Sequence, residues 1–345
     1  MTALAFELEP ALEAHEPPEA RGLPRDGVRL LVARRGDRSI SHHVFSELPD
    51  LLAPGDVVVV NVSATIPAAI AARRSDATRL RVHVCSRAPR LGDWWRVVEL
   101  RSADGARPVR GHAGERLVLE GCEQTLELVA PYASSARLLL ARLHGPLRVQ
   151  EVLDRYGAPI RYGYVSRDWP LDAYQNVYAT TPGSAEMPSA GRPFSARLIT
   201  ALTARGVLIA PLVLHTGVSS PERHEPPFPE QFEVPRQTAR LVAATRRWGG
   251  HVIAVGTTVV RALETAAGAG APIVAAAGWT GLVIGAERRL RVVDGLITGW
   301  HEPQASHLEL LSAAAGAPLL ERCYREAIAH GYLWHEFGDS HLILP

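Results

Sequence analysis

Residues 251–264, HVIAVGTTVVRALE, hold the densest set of groups able to do chemistry. An apolar run ends at Gly256, two hydroxyl residues follow, and a helical pattern then carries Arg261 and Glu264. A helix beginning at Thr257 and Thr258 offers unpaired N–H groups to a carboxylate, a phosphate or a ribose hydroxyl. Arg261 and Glu264 fall within its first turns, and in open α/β sheets ligands bind at such carboxyl ends of strands. The same residues also describe a capped helix with a surface Arg–Glu pair. A second stretch, 174–191 (YQNVYATTPGSAEMPSAG), is a long aperiodic run of small residues, a pattern shared by functional loops and linkers. A third links 293–307 (VDGLITGWHEPQASH) with 334–341 (WHEFGDSH). Each contains H-x5-H, at His301/His307 and His335/His341, with Glu302, Glu336 and Asp339 nearby. That spacing does not put two imidazoles on one helical face, so capping or solvated histidines are expected and no metal is.

The elements that must position these residues follow from hydrophobic patterning. Residues 1–70 read as loop, strand, strand and a helical turn, leading to four consecutive valines, Val57–Val60, of a strand buried on both faces. From 71 to 127 short alternating runs (Leu80–Val84, Trp94–Leu100, Arg116–Leu119) are separated by Gly/Asp/Pro turns, as in a small barrel or sandwich. Beyond Leu153 helices (195–204, 235–247, 259–267, 308–315, 319–330) alternate with strands (207–214, 251–255, 291–297). The expected fold is α/β, a mainly parallel sheet flanked by helices, with a small β-barrel inserted into it. The α/β part comprises 1–70 and 154–345, and the inserted part 71–153.

Composition narrows the function. The chain has 345 residues and a net charge of +1, which argues against a protein that coats nucleic acid by overall charge. Its 37 basic residues are all arginine, excluding lysine Schiff bases, pyridoxal-phosphate anchoring and a P-loop lysine. Ten arginines against four acids in 73–110 give a local +6, a candidate surface for an acidic ligand such as RNA or else solvated strand edges. Cys85, Cys122 and Cys323 are far apart and suit a reducing compartment. With no signal peptide pattern and no long apolar run, a cytoplasmic location without membrane contact is expected.

In order along the chain, these segments resemble the S-adenosylmethionine:tRNA ribosyltransferase-isomerase family of queuosine biosynthesis. The resemblance runs almost end to end, through 45–67 (FSELPDLLAPGDVVVVN…IP), 174–179, 183–194, Leu214-His215, 256–264, 278–280, 292–298, His301-x-Pro303 and 337–339. It implies transfer of the ribosyl part of S-adenosylmethionine, the co-substrate, to a 7-aminomethyl-7-deazaguanine in tRNA, with isomerisation to epoxyqueuosine. By resemblance His215, Asp294 and His301 sit near the reacting ribose. Gly183, Ser184, Gly191, Gly256, Thr257, Thr258, Arg261 and Glu264 bind substrate. The chain departs from the family at 61–64 (NVSA for N-D-T-R), at Pro193 and Phe228, each in place of a histidine, and in the turn at 217–220. Glu302 is gained, and His307, Glu309, His335 and His341 stand where the family is apolar or small. Two further functions therefore stay open: transfer from S-adenosylmethionine or a related nucleoside to a non-tRNA acceptor, and non-catalytic nucleoside or RNA binding.

Overall fold

A computed structural model of the chain describes residues 6–133, 135, 137–218, 227–268, 272–303 and 305–345. The first part comprises β1 (Arg29–Arg34), β2 (Ile40–Val44), the one-turn α1 (Leu48–Leu51), β3 (Val57–Asn61) and β4 (Ser63–Thr65). Six strands follow: β5 (Ala69–Arg73), β6 (Arg79–Arg87), β7 (Trp95–Ser102), β8 (Arg116–Leu119), β9 (Thr125–Pro131) and β10 (Leu138–His144). After α2 (Val149–Tyr156) come β11 (Thr181–Ser184), α3 (Ala196–Ala204), β12 (Leu208–Leu214), β13 (Glu230–Val234), α4 (Arg236–Thr245) and β14 (Val252–Val255). The last part is α5 (Thr257–Ala267), β15 (Ala276–Thr280), β16 (Gly295–Gly299), α6 (His307–Ala315), α7 (Ala317–Ala329) and β17 (Ser340–Leu344).

Nine strands form one sheet in the order β15-β13-β12-β3-β14-β16-β17-β1-β2. Its central valine strand shows why it is buried on both sides: Val57 and Val59 join the core beneath α4 to α7, whereas Val58 and Val60 join the core beneath α3. Side chains alternate across a strand, so a continuous apolar run serves two helical layers at once. The sheet is mixed. Four of its pairings (β12–β3, β3–β14, β14–β16 and β17–β1) are parallel, and the other four are antiparallel. The expected predominance of parallel pairing thus holds only at the centre, because β13 and β15 pair antiparallel at one side, and the returning β17 and the β1–β2 hairpin reverse direction at the other. The expected strand over 291–297 also begins late, at Gly295, because the N–H groups of Arg291, Val292 and Val293 go to the Glu264 carboxylate instead of to a neighbouring strand.

The six strands β5 to β10 pair antiparallel, and each is bonded on both sides in the ring β10-β7-β6-β5-β8-β9. They enclose a core of their own. The chain passes into this unit at Pro67–Ala69 and leaves it at Gly157–Ala158, where Ala69 and Ala158 exchange N–H···O bonds of 2.9 and 2.8 Å. Among the described residues, no helix is long and apolar enough to cross a membrane.

The junction tolerates no side chain at Gly157. A Cβ there would lie 2.1 Å from the Pro67 carbonyl oxygen and 2.5 Å from that of Leu153. Gly157→Ala is expected to cost about 1–3 kcal/mol by overpacking and to lower the melting temperature by several degrees. An unchanged melting temperature would show that the junction widens freely.

Candidate active site

A cavity of about 1020 Å³ opens at the carboxyl ends of β14 and β16, beside the loop that follows β12, and extends to residues of the six-stranded unit. Gly256, Thr257, Thr258 and Arg261 all line it. Gly256 has φ +91°, a left-handed conformation that favours glycine, and α5 starts directly after it. The Thr258 Oγ1 is buried and has no hydrogen-bond partner among the described residues. Arg261 is buried, and its guanidinium contacts the Glu230 carboxylate while donating to the carbonyls of Leu282 (3.0 Å) and Thr280 (3.3 Å). Glu230 in turn accepts the Gly217 N–H at 2.9 Å.

Glu264 does not join Arg261 at the cavity. Its Oε1 accepts the N–H groups of Arg291 (2.9 Å), Val292 (2.9 Å) and Val293 (3.4 Å), so its role here is to hold the chain leading into β16. Asp294 lies at the opposite end of the sheet, where it accepts the Val252 N–H at 3.0 Å and pairs with Arg246 at 2.9 Å. Four residues of extended strand, ~13 Å, separate that end from Gly256, too far for Asp294 to reach a substrate held there.

His215 follows β12 just behind the cavity wall. Its Nδ1 is 2.7 Å from the Ser63 hydroxyl, which is 2.6 Å from that of Ser184, and Ser184 accepts the Thr216 N–H at 3.0 Å. Burial, helped by the positive charge of Arg87, holds the His215 imidazole below its ordinary pKa. Gly183 makes room for this ring, since a Cβ there would sit 2.4 Å from Nδ1. Gly191 does the same for Tyr178, whose hydroxyl would be 1.9 Å from an added Cβ. Gly183, Ser184 and Gly191 thus shape the scaffold behind the cavity. The altered turn at 217–220 is described only as far as Val218, and 219–226 lie outside the described residues.

His301 does line the cavity. Its ring stacks on His307 with centroids 4.6 Å apart, its Nε2 is 3.0 Å from the Thr298 hydroxyl, and its carbonyl accepts the Trp334 indole N–H at 3.1 Å. Burial drives its imidazole well below the usual pKa, and drives that of His307 down to about 4. His335 lines the same wall and stacks on Tyr164 at 3.8 Å. It adopts φ +71°, a strained backbone for a residue with a side chain. His341 does not line the cavity; it is buried against Trp300 at 4.8 Å, with its pKa down to about 3.

Sequence reasoning missed the tyrosine–carboxylate pairs of this wall. The Tyr164 hydroxyl donates to Glu336 at 2.6 Å, and that of Tyr162 donates to Glu186. Burial pushes the Glu336 carboxyl up to about 7. The only signal was the alternation Tyr162-Gly163-Tyr164, which puts both rings on one side with centroids 5.9 Å apart. Seven carboxylates line the cavity (Glu13, Glu99, Glu186, Glu230, Glu302, Glu309 and Glu336), against three arginines (Arg101, Arg137 and Arg261). Half of the arginine-rich stretch is compensated: Arg73, Arg74, Arg79, Arg87 and Arg101 pair with acids, while Arg81, Arg96 and the exposed Arg90, Arg107 and Arg110 make no ion pair among the described residues.

The profile of the family described as "Queuosine biosynthesis protein" matches residues 1–343. The S-adenosylmethionine:tRNA ribosyltransferase-isomerase of Symbiobacterium thermophilum is 35% identical over 349 residues, covering 98% of each chain. A protein of the same name from Thermus thermophilus is also 35% identical, over 97% of this chain and 99% of its own. Among solved structures, the S-adenosylmethionine tRNA ribosyltransferase of Thermotoga maritima superposes with a TM-score of 0.55 at 30% identity, over 98% of this chain and 99% of that one.

The half-buried His307 and the buried His341, both desolvated, predict acid lability. His307 and His341 have folded-state pKa values of about 4 and about 3, below the ordinary 6.5 of the unfolded chain. Their contribution to stability is therefore complete above pH 6.5 and is lost as pH falls toward 4, His307 alone losing about 2 kcal/mol by pH 5. Glu336 acts in the opposite sense, because its raised pKa makes the folded state bind the proton more tightly. Thermal melts should fall from pH 6.5 to 5, less steeply in His307→Leu and more steeply in Glu336→Gln. A melting temperature flat across this range in all three would contradict the burial of these groups.

Proposed function

The chain belongs to the family of queuosine biosynthesis proteins; on that premise we propose that it transfers the ribosyl group of S-adenosylmethionine to the aminomethyl of a 7-aminomethyl-7-deazaguanine in tRNA. The sugar rearranges to an epoxycyclopentanediol, and adenine and methionine leave. This chemistry requires a base at the sulfonium-activated C5′, recognition of the methionine carboxylate, a proton for the departing adenine, and shielding from water.

The observation that carries this reading is the excess of carboxylates over arginines in a large cavity at the carboxyl ends of the sheet, six against three with the protonated Glu336 left out. A sulfonium and an aminomethyl ammonium are both cations, and a low-dielectric wall of carboxylates favours both. In this reading the buried Thr258 hydroxyl and the first N–H groups of α5 take the methionine carboxylate or a ribose hydroxyl. His301, kept neutral by burial, accepts a proton, and Glu336, which carries one near neutral pH, supplies one to the leaving adenine. Arg261 and His215 position these groups through Glu230 and Ser63, whereas Asp294 and Glu264 serve the fold. Residues 71–153 are then the inserted small β-barrel on an α/β body of 1–70 and 154–345. Its exposed Arg90, Arg107 and Arg110 meet tRNA phosphates, and the reaction belongs in the cytoplasm.

One observation favours a second reading, a non-tRNA acceptor. Glu302, His307, Glu309 and His335, which depart from the family pattern, all line the cavity.

Chromatography of adenine and methionine released from S-adenosylmethionine, with and without tRNA carrying the 7-aminomethyl base, separates the two. Release only with tRNA, and declining as salt rises, is expected. Release without tRNA would select the second reading, and no release in either case would overturn both.

A further inference from the structure

His42, Glu326 and His330 each present a ligand atom, and these atoms lie within 4.8 Å of one another. None of the three lines the cavity. We propose that they form a binding site for a divalent transition ion of the zinc class, joining the edge strand β2 to the end of α7.

Glu326 and His330 are four residues apart at the carboxyl end of α7, so their side chains share one face of it. His42 reaches them from β2, at the margin of the nine-stranded sheet. The His42 Nε2 is 3.2 Å from Glu326 Oε1, and the His330 Nδ1 is 3.5 Å from the same oxygen. A tetrahedral ion holding nitrogen and oxygen ligands at about 2.0–2.1 Å sets them about 3.3 Å apart, a spacing that both pairs with Glu326 approach, and rotation of the exposed His330 ring completes the set. The two imidazole rings already face each other, with centroids 4.4 Å apart.

A further contact fixes the orientation of one ligand. The Tyr332 hydroxyl is 2.9 Å from His42 Nδ1, which leaves Nε2 pointing at the carboxylate. Partners of this kind on the far ring nitrogen orient metal-bound histidines. The His330 Nδ1 also lies 2.9 Å from the Glu326 carbonyl oxygen, but the ring is exposed and turns about its Cβ–Cγ bond to present either nitrogen. The nearby cation Arg29, 4.3 Å over the Tyr332 ring, is paired with Asp339 at 2.9 Å, and that carboxylate offsets its repulsion of an incoming ion. Three protein ligands leave a fourth position for water.

The test is calorimetric titration of Zn²⁺ into the full, tag-free chain after removal of metals by chelator, with Co²⁺ absorption as a readout of tetrahedral geometry. The wild type should bind one ion at this site and melt at a higher temperature with Zn²⁺ than without. His42→Ala and His330→Ala should lose both effects, and Tyr332→Phe should weaken binding roughly tenfold. Both histidines are exposed, so the metal-free variants should melt like the metal-free wild type, and Glu326→Gln provides a second test that keeps the side-chain shape. Absence of binding to the wild type, or equal affinity and stoichiometry in His42→Ala and His330→Ala, would overturn the proposal.

Discussion

Arg261 extends from the first turns of α5 to Glu230 at the start of β13, and the geometry of the cavity follows from this contact. Glu230 also accepts the Gly217 N–H, and Arg261 also binds the carbonyls of Leu282 and Thr280, so one ion pair ties together a helix, two strands and the loop after β12. The side chains are only 8% and 13% exposed. Removing one partner of such a pair strands the other charge away from water, typically at a cost of about 3–5 kcal/mol. The pair therefore holds the amino end of α5, and with it the Thr258 hydroxyl, against the cavity. It also occupies an arginine whose position in the sequence suggested direct contact with an anionic substrate.

Desolvation controls the rest of the wall. His301 and His307 stay neutral and Glu336 stays protonated toward neutral pH for the same reason, since desolvation in the cavity wall disfavours each charged form. Desolvation thus keeps a proton on Glu336 and leaves the imidazoles of His301 and His307 neutral within one cavity. On the side of the six-stranded unit, Glu99 sits between Arg101 at 3.6 Å and Arg137 at 3.1 Å, so its charge is matched locally. The remaining carboxylates give the cavity the character the proposed cationic reactants require.

Much of this was legible in the sequence because it depends on local pattern. The valine strand, the Gly256 turn into α5 and the helices after Leu153 follow from periodicity and from glycine's access to left-handed backbone. The mixed direction of the sheet was not legible, because β17, five residues at the end of the chain, inserts between β16 and β1 through contacts distant in sequence. The same limit explains the site. Arg261 and Glu264 lie three residues apart, yet one faces the cavity and the other binds the 291–293 backbone, a division set by what packs around α5. Asp294 belongs to a segment resembling the family, but it lies at the amino end of its strand. Tyr162, Tyr164, Glu186 and Glu336 meet only because three loops converge, and no spacing in the chain records that.

The most direct test of the account is a structure of the protein with S-adenosylmethionine bound. That structure should show the sulfonium among the cavity carboxylates, with His301 at the ribose and the Thr258 hydroxyl bonded to the methionine carboxylate or a ribose oxygen. A ligand bound outside the cavity, or at the sheet end that carries Asp294, would contradict it.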